Sequence, residues 1–222
     1  MKSNPLQSRS DGFLSLHKAQ HGPLLAGLLS VTLIGLCAAV YWQGGGALET
    51  VRFIDRLMIR ISVVLFSLSF TASALASLFP GAATSWILGH RRNFTISFVA
   101  AFVLHLCAIS RFYVLDAGLF WSVSPAVLIF LRGLGAGFIV LMLLDALNGS
   151  GIRRWMALNT GGEYYIWAAF LTGFAKRVVL DRFYFLPVAL LILALALKVA
   201  SEMRFNRNVR APMARDVPEL AV

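Results

Sequence analysis

The sequence predicts an all-α integral membrane protein, a bundle of six transmembrane helices with both termini cytoplasmic. Three observations carry that expectation. Hydrophobic residues make up 59% of the 222 and charged residues only 14%, with mean hydropathy +0.76. The apolar residues gather in long uncharged runs of the length that crosses a hydrocarbon core about 30 Å thick, a pattern foreign to soluble domains of this size. The basic residues cluster at the ends of those runs, where they set orientation and meet anionic lipid. The net charge of +10 therefore does not point to nucleic acid, because no basic stripe or recognition motif accompanies it.

Residues 1–22 read as a polar, mildly basic cytoplasmic tail holding Lys2, Arg9 and Lys18, with Phe13–His17 as a candidate membrane-surface segment. This end lacks the short apolar core and small-residue cleavage site of a secretory signal, so the first apolar run reads as a retained anchor. Residues 23–200 form the six-helix transmembrane domain. Span one, 23–42, opens on Pro23 at a favoured first-turn position and closes on the interfacial pair Tyr41-Trp42, before the break at Gly44-Gly45-Gly46. The segment 47–56 has apolar residues at helical spacing and reads as an interfacial helix. Span two, 57–79, stops at the turn signal Pro80-Gly81. Span three is 94–115. Span four, 125–147, begins with Ser124-Pro125, a cap followed by proline at the first helical position. Spans five and six are 163–180 and 183–200, and 201–222 is a basic, loosely ordered cytoplasmic tail.

Six spans put both termini on one side. That side holds twelve Lys and Arg against six on the other, which places the termini in the cytoplasm. Cys37 and Cys107 both fall inside apolar runs and read as reduced packing residues. No paired carboxylates, zinc motif, nucleophile elbow or phosphate loop appears, and a transporter path lined by polar residues finds little support.

The chemistry-bearing candidates centre on 91–111, where Arg91, Arg92 and Asn93 precede an apolar run with His105 in its middle. An ionisable side chain at that depth is expected to face the bundle interior and serve a purpose. A neutral imidazole there suits an axial haem ligand, or else a bond to a neighbouring helix. Arg132 lies seven residues after Pro125, about 10 Å below the surface, and needs a partner: Asp116 or Asp181, or an anionic cofactor group. Arg111, nearer the boundary, is expected to snorkel. Gly133 and Gly137 form a small-xxx-small face for a neighbouring helix or a flat ring. Thr160 and Glu163 have capping-box spacing, and Asp145 and Glu163 are expected to pair with Arg153 or Arg154. His90 reads as an interfacial residue, Met142 and Met156 as gap-fillers.

Arg91, Arg92 and Leu104-His105-Leu106 together resemble the third span of the ferric-reductase-like transmembrane family, which includes the haem-binding membrane subunit of the bacterial methionine sulfoxide reductase system. The span-two segment 60–75, followed by Leu78-Phe79-Pro80-Gly81, and the run Arg154-Trp155 with Ala157-Leu158 resemble that family as well. The resemblance covers roughly residues 50–180. It implies a bacterial inner-membrane location, a b-type haem held by histidines of spans three and five, and propionate contacts for Arg91 and Arg92, which otherwise read as anchors of span three among lipid phosphates. The chain departs from that pattern: Leu158-Asn159 and Thr172-Gly173-Phe174 stand where the span-five histidines belong, and no histidine follows His105.

Two readings follow. In one, His105 is the metal ligand of one haem b, and the chain passes electrons to a separate redox partner protein or a quinone as a membrane oxidoreductase component. In the other, the haem is lost and the chain acts as a membrane scaffold, sensor or assembly partner.

Overall fold

A computed structural model describes the backbone of residues 5–123, 126–148, 153–179 and 182–213, and the side chains of 24–122, 129–147, 160–179 and 182–206. Among these residues there is no strand. The helices are α1 (Pro5–Gln43), α2 (Leu48–Leu78), α3 (Ala82–Gly89), α4 (Arg91–Leu115), α5 (Ala117–Val123), α6 (Ala126–Asn148), α7 (Arg153–Val178) and α8 (Phe185–Met213), with a 3-10 turn at Arg182–Tyr184 before the last. Five are long and apolar enough to cross a membrane: α1 from Leu24, then α2, α4, α6 and α8.

The break after α1 rests on glycine chemistry. Gly45 and Gly46 have φ of 60° and 69°, the left-handed region that side chains disfavour. A Cβ on Gly46 would also lie 2.7 Å from the Tyr41 hydroxyl. From Ala47 onward no glycine or proline interrupts the chain until Pro80. The expected interfacial helix 47–56 is therefore the first three turns of α2 itself. At 31 residues, α2 is about 46 Å long and outruns the hydrocarbon core; its charged residues occupy the first thirteen positions and its apolar stretch begins at Ile61.

Pairwise contacts fix the directions. Antiparallel α2 and α4 touch at Asp55–His105 and at Ser69–Thr95, whose hydroxyls are 2.6 Å apart. Helices α4 and α7 run parallel, with Arg91 on Glu163 and Phe98 on Phe170, the same 72-residue offset both times. In the antiparallel pair α7 and α8, the Trp167 indole donates to Leu191 O at 2.8 Å. Helices α2 and α8 are parallel, and Arg204 donates to the Ser77 and Leu78 carbonyls at 3.1 and 3.2 Å, capping the C-terminus of α2 with a cation. Helix α6 folds back on α7 through Tyr165, whose hydroxyl donates to Leu131 O at 2.8 Å. Helix α1 packs chiefly on α4.

The core lies where α2, α4 and α7 meet. Phe66, Phe70, Phe98 and Phe170 fill it, all buried. The Phe66 centroid is 5.5, 5.5 and 5.7 Å from those of Phe70, Phe98 and Phe170. Aromatic rings at these distances add packing energy beyond their buried area. Tyr41, Trp42, Tyr113 and Trp121 gather where α1 and α4 end, all exposed, as interfacial aromatics do.

Several sequence expectations change. Helix α7 starts at Arg153, so Thr160 lies within it and makes no capping box with Glu163. Gly133 and Gly137 are not the close-packed face: a Cβ at either meets nothing within 4 Å, whereas Gly162 lies against Phe138 and Gly135 against Tyr165. Helix α8 continues through the expected tail to Met213. Ser124-Pro125 and the side chains of Arg153, Arg154, Met156 and Asn159 fall outside the described residues. Helix α7, expected as span five, has only Tyr164–Ala175 uncharged between Glu163 and Lys176-Arg177, about 18 Å of helix.

Candidate functional site

The candidate residues separate to the two ends of the bundle. At the Arg91 end, Glu163 is the centre. Its side chain is 5% exposed, and it accepts a hydrogen bond from Arg91 Nη2 at 2.6 Å while Lys198 Nζ lies 3.6 Å away. Lys198 also sits 4.8 Å above the Phe70 ring. Three helices, α4, α7 and α8, thus share one carboxylate; the side chains of Arg153 and Arg154, its expected partners, lie outside the described residues. Arg92 caps α6 instead, donating to Leu147 O at 3.1 Å. His90 donates its Nδ1 hydrogen to Trp86 O at 2.8 Å and stacks on that indole, an ordinary structural position.

His105 belongs to the half of α4 nearer the other end. It lies fourteen residues after Arg91, about 21 Å along α4, just past the midpoint of the helix. Its Nδ1 is 2.8 Å from Asp55 Oδ1, with side chains 13% and 25% exposed. The two atoms do not align as a hydrogen bond, and neither finds another partner. The contact is electrostatic, an acid on α2 facing an imidazole on α4. The His105 ring also lies 5.7 Å from Phe102. Arg132 is within electrostatic reach of Asp55 on α2 and of Arg177; of its two expected partners, Asp181 lies outside the described residues. Asp116 instead caps α5, accepting from Leu119 N–H at 2.9 Å. Beside this group, Arg60 and Arg177 lie 4.9 and 5.8 Å from the ring of buried Tyr184.

Asp55, Tyr184 and the Glu163–Lys198 contact were missed from the sequence. One signal for Asp55 was readable: Asp55, Ser62 and Ser69 recur every seven residues, one stripe of a helix, of which Ser62 and Ser69 are buried and Asp55 and Ser69 meet α4.

The residues present do not fit a porphyrin between α4 and α7, where the resemblance would put it. That interface is closed by Phe98 and Phe170 with centroids 6.2 Å apart, and Phe66 packs against both. The Nδ1 atom of His105 is turned to a carboxylate on a different helix, and α7 has no histidine. Arg91 and Arg92 are occupied some 21 Å away. No group of three or more His, Cys, Asp or Glu side chains with metal-binding geometry occurs among the described residues. Cys37 and Cys107 are free thiols.

Comparison with protein-family models, with curated proteins and with solved structures found no match to this chain.

Proposed function

We propose that the chain is a six-span protein of the bacterial inner membrane, termini cytoplasmic, that works without haem as a membrane scaffold or assembly partner. The observation that carries this reading is the phenylalanine core. A cofactor bundle needs a space between the helices that hold it, and here α2, α4 and α7 close on their own side chains. Six crossings are supported by the alternation of directions. Helix α7 runs antiparallel to its neighbours α6 and α8 and parallel to α4, the arrangement expected of a helix that crosses the same layer. Its charges sit at its two ends, and inward-facing Glu163 is neutralised by cations from two other helices. The basic excess on the terminal side supports cytoplasmic ends.

The electron-transfer reading has one observation in its favour. A carboxylate at one ring nitrogen orients an imidazole and raises the basicity of the other nitrogen, as around metal-bound histidines. An absorption spectrum of the full chain, purified from haem-supplied cells and recorded oxidised and dithionite-reduced, separates the two. The scaffold reading expects no Soret band. A stoichiometric Soret band and reduced α-band that vanish in His105→Ala would overturn it.

A further inference from the structure

The end of the bundle where α2 begins and α7 finishes carries more positive charge than its own acids balance. Arg56, Lys176, Arg177 and Arg182 are exposed, and none makes an ion pair among the described residues. The carboxylates nearby are engaged: Glu49 with Arg52 at 3.3 Å and Asp55 with His105 at 2.8 Å. Asp181 adjoins this group in sequence. Set against Arg60, it still leaves those four cations in surplus.

Two cations of this end meet on one ring. Arg60 and Arg177 approach Tyr184 from α2 and α7 at 4.9 and 5.8 Å, which holds the two guanidiniums within about 11 Å of each other, the two distances taken end to end. Arg182 opens the 3-10 turn that ends in Tyr184, Lys176 adjoins Arg177, and Arg56 lies one helical turn before Arg60. Like charges gathered this closely repel unless an anion joins them. Depth identifies the anion. The apolar stretch of α2 begins at Ile61, that of α7 ends at Ala175, and that of α8 begins at Phe185. All four cations stand within about two turns of those boundaries, the level at which lipid phosphates lie.

We propose that Arg56, Lys176, Arg177 and Arg182, at the end of the bundle where Arg177 meets Tyr184, bind the phosphate of an anionic phospholipid. Guanidinium groups suit it, since they pair with phosphate oxygens through two parallel N–H donors. The site draws on the membrane-spanning reading alone and not on the haem-free role.

The test uses the full chain in a neutral detergent, with thermal unfolding followed after addition of phosphatidylglycerol, phosphatidylcholine or inorganic phosphate. Phosphatidylglycerol near tenfold saturation should raise Tm by on the order of 3–5 °C, and phosphatidylcholine should not. The shift should vanish in R177Q/R182Q, shrink in 0.5 M salt, and persist in R111Q, which removes an exposed cation of α4 from outside the group. Should R177Q/R182Q fail to fold, R56Q/K176Q reads the same loss. Equal shifts with the two lipids, or a shift kept in both double variants, would overturn the site. An equal shift from inorganic phosphate alone would overturn the lipid as its occupant. A chain recovered outside the membrane fraction would instead overturn the spanning reading, a separate result.

Discussion

Replacing Glu163 with Gln tests how the bundle is held at the Arg91 end. The carboxylate is 5% exposed and serves two cations: Arg91, 39% exposed, and Lys198, 15% exposed. Removing one member of a buried ion pair costs about 3–5 kcal/mol, because the other charge stays buried without compensation. Arg91 can turn to solvent, so its share is small. Lys198 keeps the face of Phe70, worth on the order of 1 kcal/mol, which puts the expected loss at the lower end, about 3 kcal/mol. For a chain of this length that is a fall in Tm of roughly 6–12 °C. Thermal unfolding of the purified protein in one fixed detergent measures it. Lys198→Met in the Glu163→Gln background should recover more than half of the loss, since it removes the stranded cation. A Glu163→Gln protein within about 1 kcal/mol of the parent, or a double variant whose effects simply add, would refute the claim that this carboxylate joins α4, α7 and α8.

Phe66→Ala removes the ring at the centre of the core and should destabilise by about 3–5 kcal/mol in the same unfolding assay. Thr95→Val strips the buried Ser69 hydroxyl of its cross-helix partner and should cost about 1 kcal/mol, whereas Ser69→Ala should cost less, because the Thr95 hydroxyl keeps its bond to the Arg91 carbonyl at 3.1 Å. Gly46→Ala puts a side chain at φ of 69° and against Tyr41; a loss of about 1–2 kcal/mol is expected, and unchanged stability would show that the turn relaxes. A double-mutant cycle over Asp55→Asn and His105→Ala should give a coupling of about 1 kcal/mol, modest because the contact is poorly aligned and part-exposed.

Much of the fold was legible in the sequence because length, apolarity and breakers act locally. Gly44-Gly45-Gly46 ends α1 and Pro80-Gly81 ends α2 where expected. The run from Arg91 to Leu115 is one helix for the reason it appeared to be: nothing in it breaks one. The first three turns of α2 were misassigned since charge density marks where a helix leaves the hydrocarbon, not where it stops. The site was less legible. A lone histidine announces a buried imidazole but not its partner, and Asp55 lies fifty residues away on another helix. The sequence around Glu163 offers no sign of Arg91 and Lys198, which lie 72 residues before it and 35 after. The glycines misled in the opposite sense. Gly133 and Gly137 form the recognisable motif and face open space, while Gly162, in no motif, receives Phe138.

The matched offset between α4 and α7 has a mechanical consequence. Two parallel helices that meet at Arg91–Glu163 and again at Phe98–Phe170 keep one register along the span, so a shift of either by a helical turn would undo the ion pair and the ring contact together.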